Sequence, residues 1–244
     1  MKTSKIKHLA GFVILLSVTL MFNSGCSYAL NSITGNGNVI KQTRDLPSFS
    51  SIEVGGAFKV FLLQGDKESV IVEADENLME IIITEVRGNN LVITTSEDIR
   101  NPEALNIYLT FKTLDRMEIS GACELSCDDR LKFGNLDLEC SGASDVTLKM
   151  SAEALKLDFS GASQVDLFGN ADEVNLDLSG ASDLDAIDLE ANKYNADISG
   201  AANARIFVKN ELTTDVSGAS SLRYKGEPSI VNNDISGAAS VKKY

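Results

Sequence analysis

Tryptophan is absent from the 244 residues, proline occurs three times and histidine once. That histidine, His8, lies in the N-terminal leader, so the rest of the chain carries no imidazole. Ser-His-Asp and Cys-His catalysis and imidazole metal ligation are thereby excluded. Bases are also scarce: 22 Lys and Arg against 35 Asp and Glu give a formal charge of −13. Such a balance argues against nucleic acid, whose phosphates require Lys and Arg. The main apolar run, LAGFVILLSVTLMF (9–22), is shorter than a membrane span needs.

What is there begins with that run. Lys2, Lys5 and Lys7 precede it and Asn-Ser-Gly-Cys follows, ending at Cys26, the pattern of an export signal over 1–25. A small-residue pair directly before a cysteine resembles a bacterial lipobox, in which the thiol is diacylated and becomes the mature N-terminus. Ordinary signal cleavage beside an incidental cysteine is the alternative. The cysteine stands where the apolar run ends, which favours lipidation at Cys26, a linker over 26–34 and attachment to the cell envelope, at the outer membrane. Acyl chains would hold the protein at a membrane without a spanning helix. Loss of the leader removes three lysines and no acid, taking the charge to about −16. Cys123, Cys127 and Cys140 then lie in a compartment that permits disulfides, but three cannot pair completely and spacing does not say which would. Cys140 occupies an otherwise apolar repeat position, which predicts a buried free thiol.

A short unit recurs: MEISGACEL, LECSGASDV, LDFSGASQV, LDLSGASDL, ADISGAANA, TDVSGASSL and NDISGAASV. The serine-glycine pairs are Ser120-Gly121, Ser141-Gly142, Ser160-Gly161, Ser179-Gly180, Ser199-Gly200, Ser217-Gly218 and Ser236-Gly237, spaced 18 to 21 residues apart. An enzyme needs one activated serine, so seven equivalent copies point to structure. The residue before each serine is apolar, as is the fifth residue after it, and period-two alternation surrounds the corner. A glycine per unit would cost a helix about 1 kcal/mol each. Short coils with one buried face must stack on their neighbours. The expected fold is all-β, a right-handed parallel β-helix (β-solenoid) with coils of about 19 residues rising about 4.8 Å each. Glycine would supply positive φ and close approach between coils, alanine would fill a narrow inner corner, and the hydroxyls would bond to the turn or to one another.

Two residues before each serine stands an acid: Glu118, Glu139, Asp158, Asp177, Asp197, Asp215 and Asp234. Alternation turns all of them away from the core. Like charges about 4.8 Å apart repel by about 0.9 kcal/mol in water and about 3.5 kcal/mol at an effective dielectric of 20. The column therefore needs a compensating cause. One reading is a solvated face that prevents lateral aggregation, its carboxylates accepting hydrogen bonds from neighbouring Asn and Ser columns. The other is a strip that binds a ligand or a cation such as Ca²⁺, which takes oxygen donors. The position four before each serine offers only Arg116 and Lys156 as nearby bases, and Asn175, Asn195, Thr213 and Asn232 occupy most of the rest.

Residues 31–118 lack clean copies of the unit but still alternate as strands, and IEVGGAF (52–58) is a degenerate repeat with Glu53 in the acidic column. The expectation is one solenoid over 35–244, with irregular coils over 35–115 and regular repeats over 116–244; a β-sandwich cap is the competing view. TGNGNVIKQTRDLPSFSSIEVGGAFKVFLLQG, then VIVEADENLMEIIITEVRGNNLVITT, then serial ISGA units resemble the auto-transporter adhesin head GIN domain family. The resemblance covers about residues 35–241 and implies exported or lipid-anchored bacterial proteins with a pectin-lyase-like β-helix, an adhesive role and no recognised catalytic set. Three functions follow: an anchored module binding a glycan or a host or matrix protein, a β-helix that binds or cleaves polysaccharide, and a passive envelope scaffold, with a homo-oligomer open in each. The last repeat ends without an added cap, leaving an edge that Lys242 and Lys243, a partner or a second copy would protect.

Overall fold

A computed structural model describes residues 32–244; the leader and Cys26 lie outside the described residues. Strand alternation sets the architecture. In Asp145–Phe159 the residues Val146, Leu148, Met150, Ala152, Leu155, Leu157 and Phe159 are buried, while those between them are half-buried or exposed. The next strand, Gln164–Leu178, repeats the pattern and pairs with it in parallel, Val146 on Val165 and Leu157 on Leu176. Asp183–Ile198 and Asn203–Val216 continue the stack. Neither face alone is buried by a single coil, so the inner columns close only when coils stack. The result is a β-solenoid with coils of about 19 residues.

The corner is held by close backbone approach. Gly142, Gly161 and Gly180 have φ of +95°, +94° and +76°. A Cβ on Gly161 would lie 2.3 Å from the carbonyl oxygen of Gly142, and one on Gly180 would lie 2.4 Å from that of Gly161. No side chain fits there. Each following alanine donates its N–H to the glycine carbonyl of the coil before it, Ala162 to Gly142 and Ala181 to Gly161, both at 2.8 Å. The hydrogen-bond ladder thus runs unbroken through the turn.

Two details of the corner differ from expectation. The alanines face outward and are exposed; the residue that enters the corner is the one after, filled by Cys123, Ser144, Ser163, Ser182, Ala202 and Ser220, all buried. Alternation explains the swap, since that residue shares parity with the inward residue two places later. The motif serines also form no hydroxyl chain: Ser120 Oγ donates to the Val54 carbonyl at 3.5 Å, and the others remain half-exposed or exposed. Unequal coil lengths are absorbed away from the corner. The register shifts between Asp166 and Phe168 against Asp185 and Asp188, so the corners themselves stay aligned.

The segment read as irregular coils is more elaborate. Asn90–Thr95 and Leu105–Phe111 form a coil, and Ser51–Gly56 and Lys59–Gln64 form another. In space the later coil is outermost: Ser51–Gly56 lies between Asn90–Thr95 and Arg116–Gly121, and Lys59–Gln64 lies between Leu105–Phe111 and Glu124–Cys127. The chain enters at the second position, runs outward and returns. Antiparallel strands cover the outer coil: Ile82–Arg87 on Asn90–Thr95, and Ser69–Asp75 on Leu105–Phe111, with Val39–Arg44 on Ser69–Asp75. The degenerate repeat sits in register, Glu53 on Glu118 and Gly56 on Gly121. These coils and strands share one continuous core.

At the other end the inner columns run out. Val231 stacks on Leu212 and Ile235 on Val216. Leu212 and Val216 are fully buried, whereas Val231 is 41% and Ile235 45% exposed.

Candidate functional site: the acidic face

The acidic residues form one column. Register places Glu53 on Glu118, Glu118 on Glu139, Glu139 on Asp158, and so on through Asp177, Asp197 and Asp215 to Asp234. All point outward, because the apolar residues on either side of each occupy the inner columns. The expected juxtaposition of all seven is present.

Their surroundings divide the column in two. Near its start, Arg116 reaches across coils, with Nη1 2.8 Å from Asp137 and Nη2 2.7 Å from Glu139 and 3.5 Å from Glu118. Lys156 adds contacts of 3.2 Å to Asp137 and 3.6 Å to Glu139. Hydrogen bonding to Asp137 and the two carboxylates' charge hold the Lys156 ammonium above its ordinary pKa. Beyond Asp158 the neighbouring column is Asn175, Asn195 and Thr213, and among the described residues no Lys or Arg pairs with Asp177, Asp197, Asp215 or Asp234. Asn195 Nδ2 donates to Asn175 Oδ1 at 2.9 Å, an amide ladder beside the carboxylates. Partial burial, then the charges of Asp158 and Asp197, push the Asp177 carboxyl above its usual range.

These residues line an open groove of about 510 Å³ that runs from Lys156 to Asp234. Asp158, Asp177, Asp197 and Asp215 form one margin, and Asn175, Asn195 and Thr213 the other. Such a surface offers regularly repeated acceptors and amide donors, which suits hydroxyl-rich or cationic ligands. Carboxylates in a line are not carboxylates around a centre: among the described residues no three or more His, Cys, Asp or Glu converge as a metal site. Motif serines have no amine or carboxylate partner among the described residues, so nothing there activates them.

The thiols of Cys123, Cys127 and Cys140 are buried and free, and burial pushes Cys140 up to about 12. Sequence reasoning missed two sites near the antiparallel strands. Asp75 is fully buried and accepts N–H groups from Gly37, Glu103 (2.8 Å) and Ala104 (3.4 Å), tying two loops together. Burial is the largest influence on its carboxyl and raises the pKa, but the three N–H donors outweigh it and hold the group below its usual range. On the outer sheet face Phe61, 38% exposed, stacks on Tyr108 at 5.1 Å between centroids, and Tyr108 donates to Glu73 at 2.6 Å. Neither site belongs to the repeat, and the pairing that builds the second, Lys59–Gln64 on Leu105–Phe111, joins strands distant in sequence.

Residues 48–228 match the family described as "Putative auto-transporter adhesin, head GIN domain". The chain belongs to this family. No curated protein matches it. Among solved structures it is similar to a putative adhesin from Bacteroides fragilis, at 23% identity and a TM-score of 0.80, covering 87% of this chain and all of that one. A putative lipid binding protein from Parabacteroides distasonis gives 21% identity and 0.74, covering 88% and 100%. A putative adhesin from Parabacteroides merdae gives 19% and 0.70, with the same coverage. At these identities the likeness concerns the fold.

Proposed function

We propose that the protein is a non-catalytic adhesion module of the cell envelope, lipidated at Cys26, that binds a hydroxyl-rich polymer such as a glycan along the acidic face. The observation that carries this reading is the groove itself. Its carboxylates repeat at the coil spacing, lack basic partners from Asp177 onward among the described residues, and sit beside an amide ladder. A repulsive column costs free energy, and a solvated strand face does not require acid at every coil. A ligand whose hydroxyls or bridging cations span several coils would relieve that repulsion and gain by multivalency. Membership of an adhesin family supports the general role.

A glycan and matrix-protein array probed with residues 27–244 tests the reading. Binding that is lost in the double variant Asp177→Asn, Asp197→Asn supports it. Binding indifferent to those changes moves the ligand site elsewhere, and release of reducing ends or unsaturated sugars from any bound glycan replaces adhesion by cleavage. Cys26→Ser separately tests the anchor, which predicts loss of the protein from the membrane fraction.

A further inference from the structure

The last strand in the acidic sheet, Ile230–Ile235, has a partner on one side only. Its inner-column residues Val231 and Ile235 are 41% and 45% exposed. An edge of this kind, apolar and unpaired, is a template for another strand. The adjoining edge strand, Ser240–Lys243, is guarded by Lys242 and Lys243, and Lys243 pairs with Glu227. The opposite end of the stack is covered by antiparallel strands. Those covering strands are edges too, but Val39–Arg44 carries Lys41 and Arg44 and Ile82–Arg87 carries Arg87, whereas Ile230–Ile235 carries no basic residue.

We propose that this strand pairs antiparallel with the same strand of a second copy, joining two solenoids end to end. The backbone phase fits. Ser236 donates its N–H inward, to the Val216 carbonyl at 3.0 Å, so strand alternation turns the N–H and C=O groups of Val231, Asn233 and Ile235 toward the free edge. A two-fold axis at Asn233 sets Asn233 opposite its own copy and Val231 opposite Ile235, and joins all of these groups in hydrogen-bonded pairs. On the outer face it sets Asp234 opposite Asn232, an amide against a carboxylate. Moving the axis by one residue toward the C-terminus would set Asp234 against itself. Within each solenoid acid stacks on acid; across this junction the sequence alternates. A two-fold pairing also closes, whereas head-to-tail addition would meet the antiparallel strands at the other end and propagate as a fibre.

Sedimentation velocity of residues 27–244, which contain the compact unit Ile33–Tyr244, tests this over a series reaching about 100 µM. A monomer–dimer equilibrium is expected. A monomer throughout, or polymers that grow with concentration, overturns the proposal. Asn233→Lys places like charges on the axis and is expected to raise the dimer Kd at least about tenfold. Asn233→Cys is expected to form a disulfide-linked dimer under mild oxidation, since hydrogen-bonded antiparallel partners sit about 5.5 Å apart between Cα atoms. Asn232→Cys, which faces Asp234 of the second copy, is expected to stay uncrosslinked. Where Asn233→Lys disturbs the last coil, the cysteine pair decides: equal crosslinking at both positions, or none at Asn233→Cys, refutes the register.

Discussion

The two ends of the stack solve the same problem in different ways. At the start, the outer coil is covered by Ile82–Arg87 and Ser69–Asp75, and the first acids of the column are bridged by Arg116 and Lys156. Toward the end, Ile230–Ile235 is uncovered and Asp177, Asp197, Asp215 and Asp234 stand beside amides and a hydroxyl. The covered end is held by specific cross-coil contacts that no periodic rule requires. Toward the open end the cross-coil ion pairs, such as Lys193–Glu211 at 3.7 Å and Lys209–Glu190 at 2.9 Å, lie on other columns, and among the described residues none reaches the acids from Asp177 onward.

The repetition can be broken most severely at a corner. Gly161→Ala is expected to cost about 4 kcal/mol or to abolish folding, because its Cβ would meet a carbonyl oxygen at 2.3 Å with φ at +94°. Gly134→Ala, with open space around it and no positive φ, is expected to change stability by no more than about 0.5 kcal/mol. Urea unfolding of the pair measures both. At the covered end Asp75→Ala is expected to cost about 2–3 kcal/mol, leaving the Gly37, Glu103 and Ala104 N–H groups without their acceptor. The Asp75 carboxyl titrates lower in the folded protein than in the unfolded chain. Its stabilisation is therefore complete above about pH 4 and fades as pH falls through the folded value, so wild type and variant should converge in acid.

Charge removal should change sign along the column. Arg116→Leu leaves three carboxylates without their common partner and is expected to destabilise by about 1 kcal/mol, since the site is partly exposed. Asp177→Asn is expected to stabilise by about 0.5 kcal/mol at neutral pH. Because the folded Asp177 pKa is raised, its penalty appears only as pH climbs through that value. The advantage of the variant should vanish below about pH 4, where both states are protonated. Thermal melts at pH 7 and pH 3 read the difference. Smallest of all, Cys140, buried and with a pKa pushed up to about 12, is expected to resist alkylation at pH 8 until the protein is unfolded.

The same contrast explains how much was legible in the sequence. Seven corners at nearly constant spacing carry their own register, so the solenoid, the stacked glycines and the alignment of all the column acids from Glu118 to Asp234 follow from counting. The inward position after each alanine was also readable, by running the alternation back from Val146 to Ser144 or from Val165 to Ser163. The order of the first two coils was not. Asn90–Thr95 and Ser51–Gly56 are both sound strands, and local pattern does not say which edge each joins. Asp75 likewise looks like an ordinary turn acid until the loops at Gly37 and Glu103 are brought to it. Long-range pairing, unlike repetition, leaves no period.

Successive coils lie in register, so that Asp177 stands directly beside Asp197. Cysteine crosslinking tests this directly. The double variant Asp177→Cys, Asp197→Cys is expected to close a disulfide under mild oxidation, because neighbouring parallel strands lie about 4.8 Å apart. The offset pair Asp177→Cys, Asn195→Cys, about 8 Å apart on the same face, is expected to remain reduced. Closure of the offset pair with the aligned pair left open would contradict the account.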